Sequence, residues 1–232
     1  MQRMNVLDNP IFHALQTTQH HFSEGNEQVL KFKSSILPFA GANTNDGQAL
    51  TALLPFMENG ETLFIKDQFD QIPSEFQVMG IVNCWQMVYT PGNIQVPITA
   101  DVAALTGEDA ASLFQLVDTV QPGFFKPGTS SIGQYFGIRS EGQLVAVAGE
   151  RFRMPGFTEL SAICTLPTHT GKGYAQQLIQ VLCEHNLANG QQVLLHVVDS
   201  NERAIKVYEK MGFAKRMDLP LLKLKKVSDK LS

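Results

Sequence analysis

Cysteine is scarce in this chain: Cys84, Cys164 and Cys183 are its three, far apart and without a Cys-x-x-Cys pair. That spacing excludes a disulfide framework and a zinc-ribbon site, and it fits a reducing interior. Positive charge is also in short supply, with 18 Lys and Arg against 22 Asp and Glu and a net charge of −4. No broad basic field is left for a nucleic-acid backbone, and no aromatic-basic pattern accompanies the few cations there are. Lys223, Lys225, Lys226 and Lys230 read as a solvated edge strand and tail. No apolar run approaches the roughly 18 residues of a membrane span, and MQRMNVLDNPIFHAL lacks the apolar centre of a signal peptide. A cytoplasmic protein with no membrane or nucleic-acid partner is therefore expected.

Apolar material is plentiful: 44% of 232 residues, enough for one large domain or two small ones. The pattern changes along TPGNIQVPITADVAAL, where Pro91, Gly92 and Pro97 separate two patterned regions. This division gives an N-terminal region at 1–97, a second domain at 98–226 and a tail at 227–232. Upstream, NPIFHALQTTQHHF and ALTALLPFM predict helices, while ETLFIKD and EFQVMGIVNCWQMVY predict strands. His13, His20 and His21 fall on one face of a continuous helix, but no acidic or cysteine partner stands at ligand spacing. A partly exposed histidine face is the reading there, and no metal.

Downstream, Thr106 and Asp109 form a capping box ahead of a helix over EDAASLFQLVD. QYFGIRS and QLVAVAGERFR flank Glu141-Gly142 as a hairpin, and FTELSAICTLP follows Pro155-Gly156 as a third strand. Tyr174, Ala175, Leu178, Val181 and Leu182 recur at helical spacing. The strand QVLLHVVD, a helix from Glu202 to Met211 closed by Gly212, and a strand near AKRMDLPLLKLKK complete the order. The result, αββ and then β-α-β-α-β, is an α/β fold on a mixed sheet.

The segment HTGKGYAQQLIQVL sets Gly171 and Gly173 around Lys172 at the mouth of a helix. A helix start exposes unpaired N–H groups and partial positive charge, and glycines admit a bulky anion to the backbone. A Walker A loop is excluded because Leu166 and Gly173 stand where Gly and Ser/Thr are needed; a dinucleotide fingerprint is excluded by Gln176. By itself the Gly-x-Gly equally fits a tight turn that holds nothing.

The strand-loop-helix-strand-helix order, together with GERFRMPGFTELSAICTLP, THTGKGYA and LLHVVDSNERAIKVYEKMGF, resembles the GCN5-related N-acetyltransferase superfamily, more narrowly its FR47-like branch, over roughly residues 100–220. The resemblance implies the acyl-coenzyme A N-acyltransferase (GNAT) fold, with the N-terminal region a degenerate copy of it. It implies acetyl-coenzyme A as co-substrate and no metal. Its pyrophosphate would be wrapped by His169, Thr170, Gly171, Lys172, Gly173, Tyr174 and Ala175; its pantetheine arm would pair with Ile163, Cys164 and Thr165. Asn201, Ala204 and Tyr208 would border the cofactor, with Asn201 equally fitted to cap the last helix. Thr168 and Thr170 depart from the Gln or Arg common at those places, leaving Lys172 and backbone N–H groups to hold the phosphates.

Direct transfer to an amine in a ternary complex needs a base, since a lysine-type amine has a pKa of about 10.4. Glu159, alternating with Ser161 and Ile163 on one strand face, is the candidate base, and an exposed strand glutamate is the bland alternative. His196, within VLLHVV, would face Glu159 and orient substrate or relay a proton; a hydrogen-bonded core histidine reads as well. Tyr208 would by resemblance protonate the leaving thiolate, although Ala204, Val207, Tyr208 and Met211 also form a core stripe. Cys183 falls inside a helix and Cys164 on the face opposite Glu159, so both read as packing residues. The acceptor, a small-molecule or peptide amine, is expected between the two halves, where Phe64, Phe76, Trp85 and Tyr89 are candidate lining or core. A non-catalytic acyl-coenzyme A sensor or docking module uses the same cradle and is the alternative.

Overall fold

The structure, a computed structural model, describes residues 6–66, 69–92 and 96–227. Lys230, most of the expected tail and the centre of the Pro-Gly linker lie outside the described residues. The chain forms two compact units: one of residues up to Ser34, Pro38–Cys84 and the chain from Asp218 on, the other of Ser35–Leu37 and Trp85–Met217.

The first unit contains α1 (Pro10–Gln16), β1 (Ser23–Gly25), β2 (Val29–Phe32), β3 (Phe39–Ala42), α2 (Gly47–Leu53) and β4 (Thr62–Lys66). It also holds the start of β5 (Phe76–Tyr89) and the end of β11 (Phe213–Lys226). Strand order is β1-β2-β3-β4-β11, with β3 and β4 parallel. Strands β1 to β3 are absent from the sequence reading, and β2 and β3 explain why: VLKF and FAGA are buried at all four positions, so no period-two alternation marks them. Gly41 in β3 is required by contact, since a Cβ there would lie 2.4 Å from the Phe12 backbone nitrogen.

Two expectations are corrected in this unit. Helix α1 stops at Gln16, and His20–Phe22 is a separate 3₁₀ turn, so His13, His20 and His21 share no helical face. Among the described residues no cluster of His, Cys, Asp or Glu is placed to hold a metal ion. Strand β11 is no edge: it lies between β4 and β5. Lys226 Nζ donates to the carbonyls of Leu54 and Met57, both at 2.9 Å, and Lys223 Nζ sits 5.5 Å from the Phe64 ring centre.

The second unit contains the end of β5, β6 (Val102–Ala104), α3 (Ala110–Val120), β7 (Tyr135–Ser140), β8 (Gln143–Met154), β9 (Phe157–Thr165), α4 (Tyr174–Ala188), β10 (Gln192–Val198) and α5 (Glu202–Lys210). Strand order is β5-β10-β9-β8-β7-β6, antiparallel at β6/β7, β7/β8 and β8/β9 and parallel at β9/β10. The capping box opens α3's end of the chain, with Thr106 N donating to Asp109 Oδ2 at 2.8 Å. Glu141 (φ 51°) and Gly142 (φ 80°) are both left-handed, the conformation a two-residue hairpin loop demands.

Helix α4 buries Leu178, Ile179, Leu182 and Cys183 against Val145, Leu160, Val193 and Leu195. Helix α3 buries Leu113, Leu116 and Val117 against Val147, Ala162 and Cys164. Leu160 and Ile163 therefore join one cluster while Ala162 and Cys164 join the other. Strict alternation forbids that, and the reason is a bulge: the β8/β9 register slips between Val147 and Gly149, and Ala162 has φ 50°. Past the bulge, Ile163 leaves Glu159's face and Cys164 joins it, which reverses both sequence assignments. Among the described residues no helix is long and apolar enough to cross a membrane.

Candidate functional site

Beyond Thr165 the chain turns through a 3₁₀ segment, Pro167–His169, and enters α4 at Gly173. His169 N donates to Leu166 O at 2.8 Å and Thr170 Oγ1 to Pro167 O at 3.0 Å, which fixes the loop. Gly171 (φ 81°) and Gly173 (φ 75°) lie in the left-handed region that residues with a Cβ avoid. A Cβ on Gly171 would meet nothing within 4 Å, so backbone conformation, not crowding, demands glycine there. Gly173 is the N-cap of the 15-residue α4 and contributes no side-chain cap. The N–H groups of Tyr174, Ala175 and Gln176 thus start the helix bare, beside exposed Lys172, whose Nζ lies 5.9 Å from the Tyr174 ring centre. Thr168 Oγ1 contacts His169 Nδ1 at 2.9 Å, so the two threonines shape the turn.

The strand leading into this loop parts from its neighbour. The parallel β9/β10 ladder runs from Phe157/Gln192 to Leu160/Leu195, and the described remainder of each strand, to Thr165 and to Val198, continues unpaired with the other. The fork therefore leaves one backbone edge of Ser161 to Thr165 unpaired with β10, on the strand that runs into the start of α4.

Glu159 and His196 sit at the root of that fork, and they are closed in. Glu159 has no exposed surface; Arg151 donates to it twice, from Nε to Oε2 at 3.1 Å and from the guanidinium end to Oε1 at 2.5 Å. His196 Nδ1 lies 2.8 Å from Oε1 of the same carboxylate. Burial pushes the Glu159 carboxyl up, but the Arg151 charge and the hydrogen bonds from His196 and Arg151 outweigh it and lower the pKa to about 2. Gln86 then contacts His196 Nε2 through its amide nitrogen at 3.0 Å, while Arg216 donates to the Gln86 carbonyl at 2.9 Å. Because Arg216 can only donate, it fixes the Gln86 amide, and His196 must accept at Nε2 and donate at Nδ1. The row Arg151, Glu159, His196, Gln86, Arg216 crosses β8, β9, β10, β5 and β11 in order.

The exposed strand glutamate that is the alternative for Glu159 is accordingly not what the fold builds. Its carboxylate has no open surface and binds two partners. Arg151, Gln86 and Arg216 escaped the sequence reading because their strands give no local sign that five neighbours supply one polar row. The only available signal was polar residues at buried-phase positions of apolar strands, visible at His196 and Gln86. Gln177 escaped too: its side chain is buried in α4, and Oε1 accepts from Thr99 N at 2.8 Å and Ala100 N at 2.9 Å.

Asn201 caps α5, accepting from Ala204 N at 3.2 Å. Tyr208 and Ala204 pack partly buried against the α4 core, and the Tyr208 ring centre is 6.0 Å from that of Phe213. Burial, and then proximity to Cys164, pushes the Tyr208 phenol well above its ordinary range, so it stays protonated. Burial likewise pushes the Cys164 and Cys183 thiols up to about 12, Glu184 adding to the second, which leaves neither as a thiolate nucleophile. Of the four aromatic candidates, Phe64 and Phe76 are core residues of the first unit, while Trp85 and Tyr89 pack partly buried in the second.

Residues 135–219 match the family model of FR47-like proteins. A GNAT-family protein from Novosphingobium aromaticivorans superposes with a TM-score of 0.87 at 27% identity, over 96% of this chain and 99% of that one. A GCN5-related N-acetyltransferase from Kribbella flavida gives 0.59 at 14% identity, covering 94% and 97%. A Staphylococcus epidermidis protein described as functionally unknown gives 0.57 at 12%, covering 91% and 98%; these last two share the fold alone. No curated protein matches the chain. The mixed α/β sheet is that of the GNAT acetyltransferases. Residues 135–219 thus form a segment similar to FR47-like proteins, as the sequence motifs led us to expect.

Proposed function

We propose that this protein is an acetyl-coenzyme A dependent N-acetyltransferase that passes the acyl group directly to an amine of a small molecule or peptide. The observation carrying this reading is the coincidence of the β9/β10 fork with the uncapped start of α4: an unpaired strand edge and a bare anion site face the same end of the sheet. Both parts fit the co-substrate. The open edge at Ile163, Cys164 and Thr165 suits an amide-bearing arm, and the loop His169 to Ala175, with Lys172, suits a pyrophosphate. The site falls within the second unit, and the N-terminal region at 1–97, read by resemblance as a degenerate copy, takes no part in phosphate binding. A cytoplasmic location rests on the cysteine usage.

In this reading Tyr208 stabilises the departing thiolate. Glu159 acts as a positioning residue: its carboxylate holds the His196 Nδ1–H tautomer, which makes Nε2 the basic atom of the cluster. Gln86 occupies Nε2 and must turn away before His196 can relieve an amine of its proton. That closure is the one observation favouring the second reading, a non-catalytic acyl-coenzyme A sensor.

The test is calorimetric titration with acetyl-coenzyme A, using adenosine 3′,5′-bisphosphate as a fragment control, followed by an amine screen. Gly173→Asp sets a carboxylate and a left-handed non-glycine residue at the cradle, and should weaken binding by at least about a hundredfold. Unchanged affinity in this variant removes the cradle from the site. Binding without transfer to any amine leaves the sensor.

A further inference from the structure

At the opposite end of α4, about 20 Å from its N-terminus by helix rise, the second unit has a cavity of about 530 Å³ with no apolar side chain in its lining. Glu150, Asn186, Arg153, Gln134, Asn189 and Gln191 are among its walls. It is separate from the proposed acyl-coenzyme A site, since its β9 member is Thr158, at the other end of the strand from Thr165.

The cavity contains a buried charge with spare bonding capacity. Glu150 is 4% exposed. Its Oε1 accepts from Asn186 Nδ2 at 2.9 Å and its Oε2 from Gln134 N at 3.0 Å, both neutral donors. Arg153 Nε stands 4.0 Å from Oε2, beyond hydrogen-bond length, on a side chain that is 47% exposed at the rim. A carboxylate offers about four lone-pair sites, and two hydrogen bonds fill half of them. Asn186 is itself 3% exposed and anchored to Leu182 O at 3.0 Å, so the carboxylate is held in place rather than mobile. Gly133 closes the chain over it: a Cβ there would lie 2.6 Å from the Glu150 Cβ. The C-terminal turn of α4, which carries His185 and Asn186, adds partial negative charge to the same wall.

We propose that this cavity binds a free α-amino acid. Its ammonium group donates into the unused lone pairs of Glu150, and its carboxylate, one carbon away, meets the Arg153 guanidinium. The short separation of opposite charges in the ligand matches the short Glu150 to Arg153 separation, and the amides of Asn189 and Gln191 leave a polar margin for a hydrophilic side chain. The cavity is too far from the fork for its occupant to be the acetyl acceptor, so the ligand is a second, regulatory or stabilising one.

The full chain, without acetyl-coenzyme A, is titrated calorimetrically with each standard L-amino acid, with ethanolamine and acetate as single-charge controls. At least one polar amino acid should bind, and each control should bind about tenfold more weakly or not at all. Glu150→Gln, which keeps the shape, and Arg153→Ala, on the exposed rim, should each weaken binding about ten- to a hundredfold, whereas Gly173→Asp should leave it unchanged. No binding by any amino acid overturns the proposal, as does binding indifferent to both Glu150→Gln and Arg153→Ala. Loss in Gly173→Asp instead assigns the amino acid to the acetyl-transfer site, a result that counts against this cavity without touching the proposed activity.

Discussion

The two ends of β9 handle polarity in opposite ways. Near its start, Glu159 is sealed among Arg151 and His196. Near its end, Ser161 to Thr165 part from β10, and the chain runs into an uncapped helix start. The first arrangement uses a charge to hold three strands in register at the root of the fork; the second leaves backbone groups bare, and bare groups bind ligands. A glutamate on a strand and a glycine before a helix carry equal promise in a sequence. Burial separates them: a buried carboxylate must be neutralised by fixed partners, and once it is, little of it is left for a substrate. Changes at the closed end should therefore move stability, and changes at the open end should move binding and rate.

The sharpest way to break that comparison is Arg151→Met. It strands the Glu159 carboxylate in the interior with His196 alone, and should cost about 3–5 kcal/mol in urea unfolding. Removing the charge together with its partner, as in Arg151→Met with Glu159→Gln, should cost less than the single change. A loss below about 1 kcal/mol for Arg151→Met would mean that the cluster is solvated and the closed end is not closed.

Acid should show the same asymmetry. The Glu159 pKa is lowered from 4.5 to about 2 in the folded protein. Its stabilisation is thus complete above the unfolded value and is lost as pH falls from about 4.5 through 2, on the order of 3 kcal/mol in all. Asp109 is also lowered, by its Thr106 backbone bond and by Arg139, so the quantity to measure is a difference. Unfolding free energy between pH 5 and pH 2.5 should drop more steeply in the native sequence than in Glu159→Gln; parallel curves would return Glu159 to an ordinary, exposed carboxylate.

Where the sequence was readable, local chemistry was strong. The capping box at Thr106 and Asp109, the Glu141-Gly142 hairpin and the Gly171 to Gly173 loop each carry their geometry in two to four neighbouring residues. The closed cluster carries its geometry across strands: Gln86 lies 110 residues from His196 and 130 from Arg216, and no window along the chain contains such pairs. The bulge at Ala162 is a different failure. Alternation is a rule of regular ladders, so a single left-handed alanine inverted the expected faces of Ile163 and Cys164 without altering any residue type. Lys226 shows a third: a basic residue that read as solvated is engaged by two main-chain carbonyls.

Tyr208 belongs to the open end, and its effect should be kinetic. Burial and the neighbouring Cys164 keep its phenol protonated far above neutrality, whereas a coenzyme A type thiol ionises near 8.5. Full proton transfer from so weak an acid to that thiolate is uphill, so the phenol works as a fixed hydrogen-bond donor to developing charge. Tyr208→Phe should then lower kcat about ten- to a hundredfold, the worth of one bond to a charged group, with acetyl-coenzyme A affinity and unfolding free energy little changed. Because the donor does not titrate between pH 6 and pH 9, the ratio of native to variant kcat should be flat across that range. A ratio that changes steeply with pH would identify a proton-transferring acid instead, and a large loss of stability would move Tyr208 to the side of Glu159.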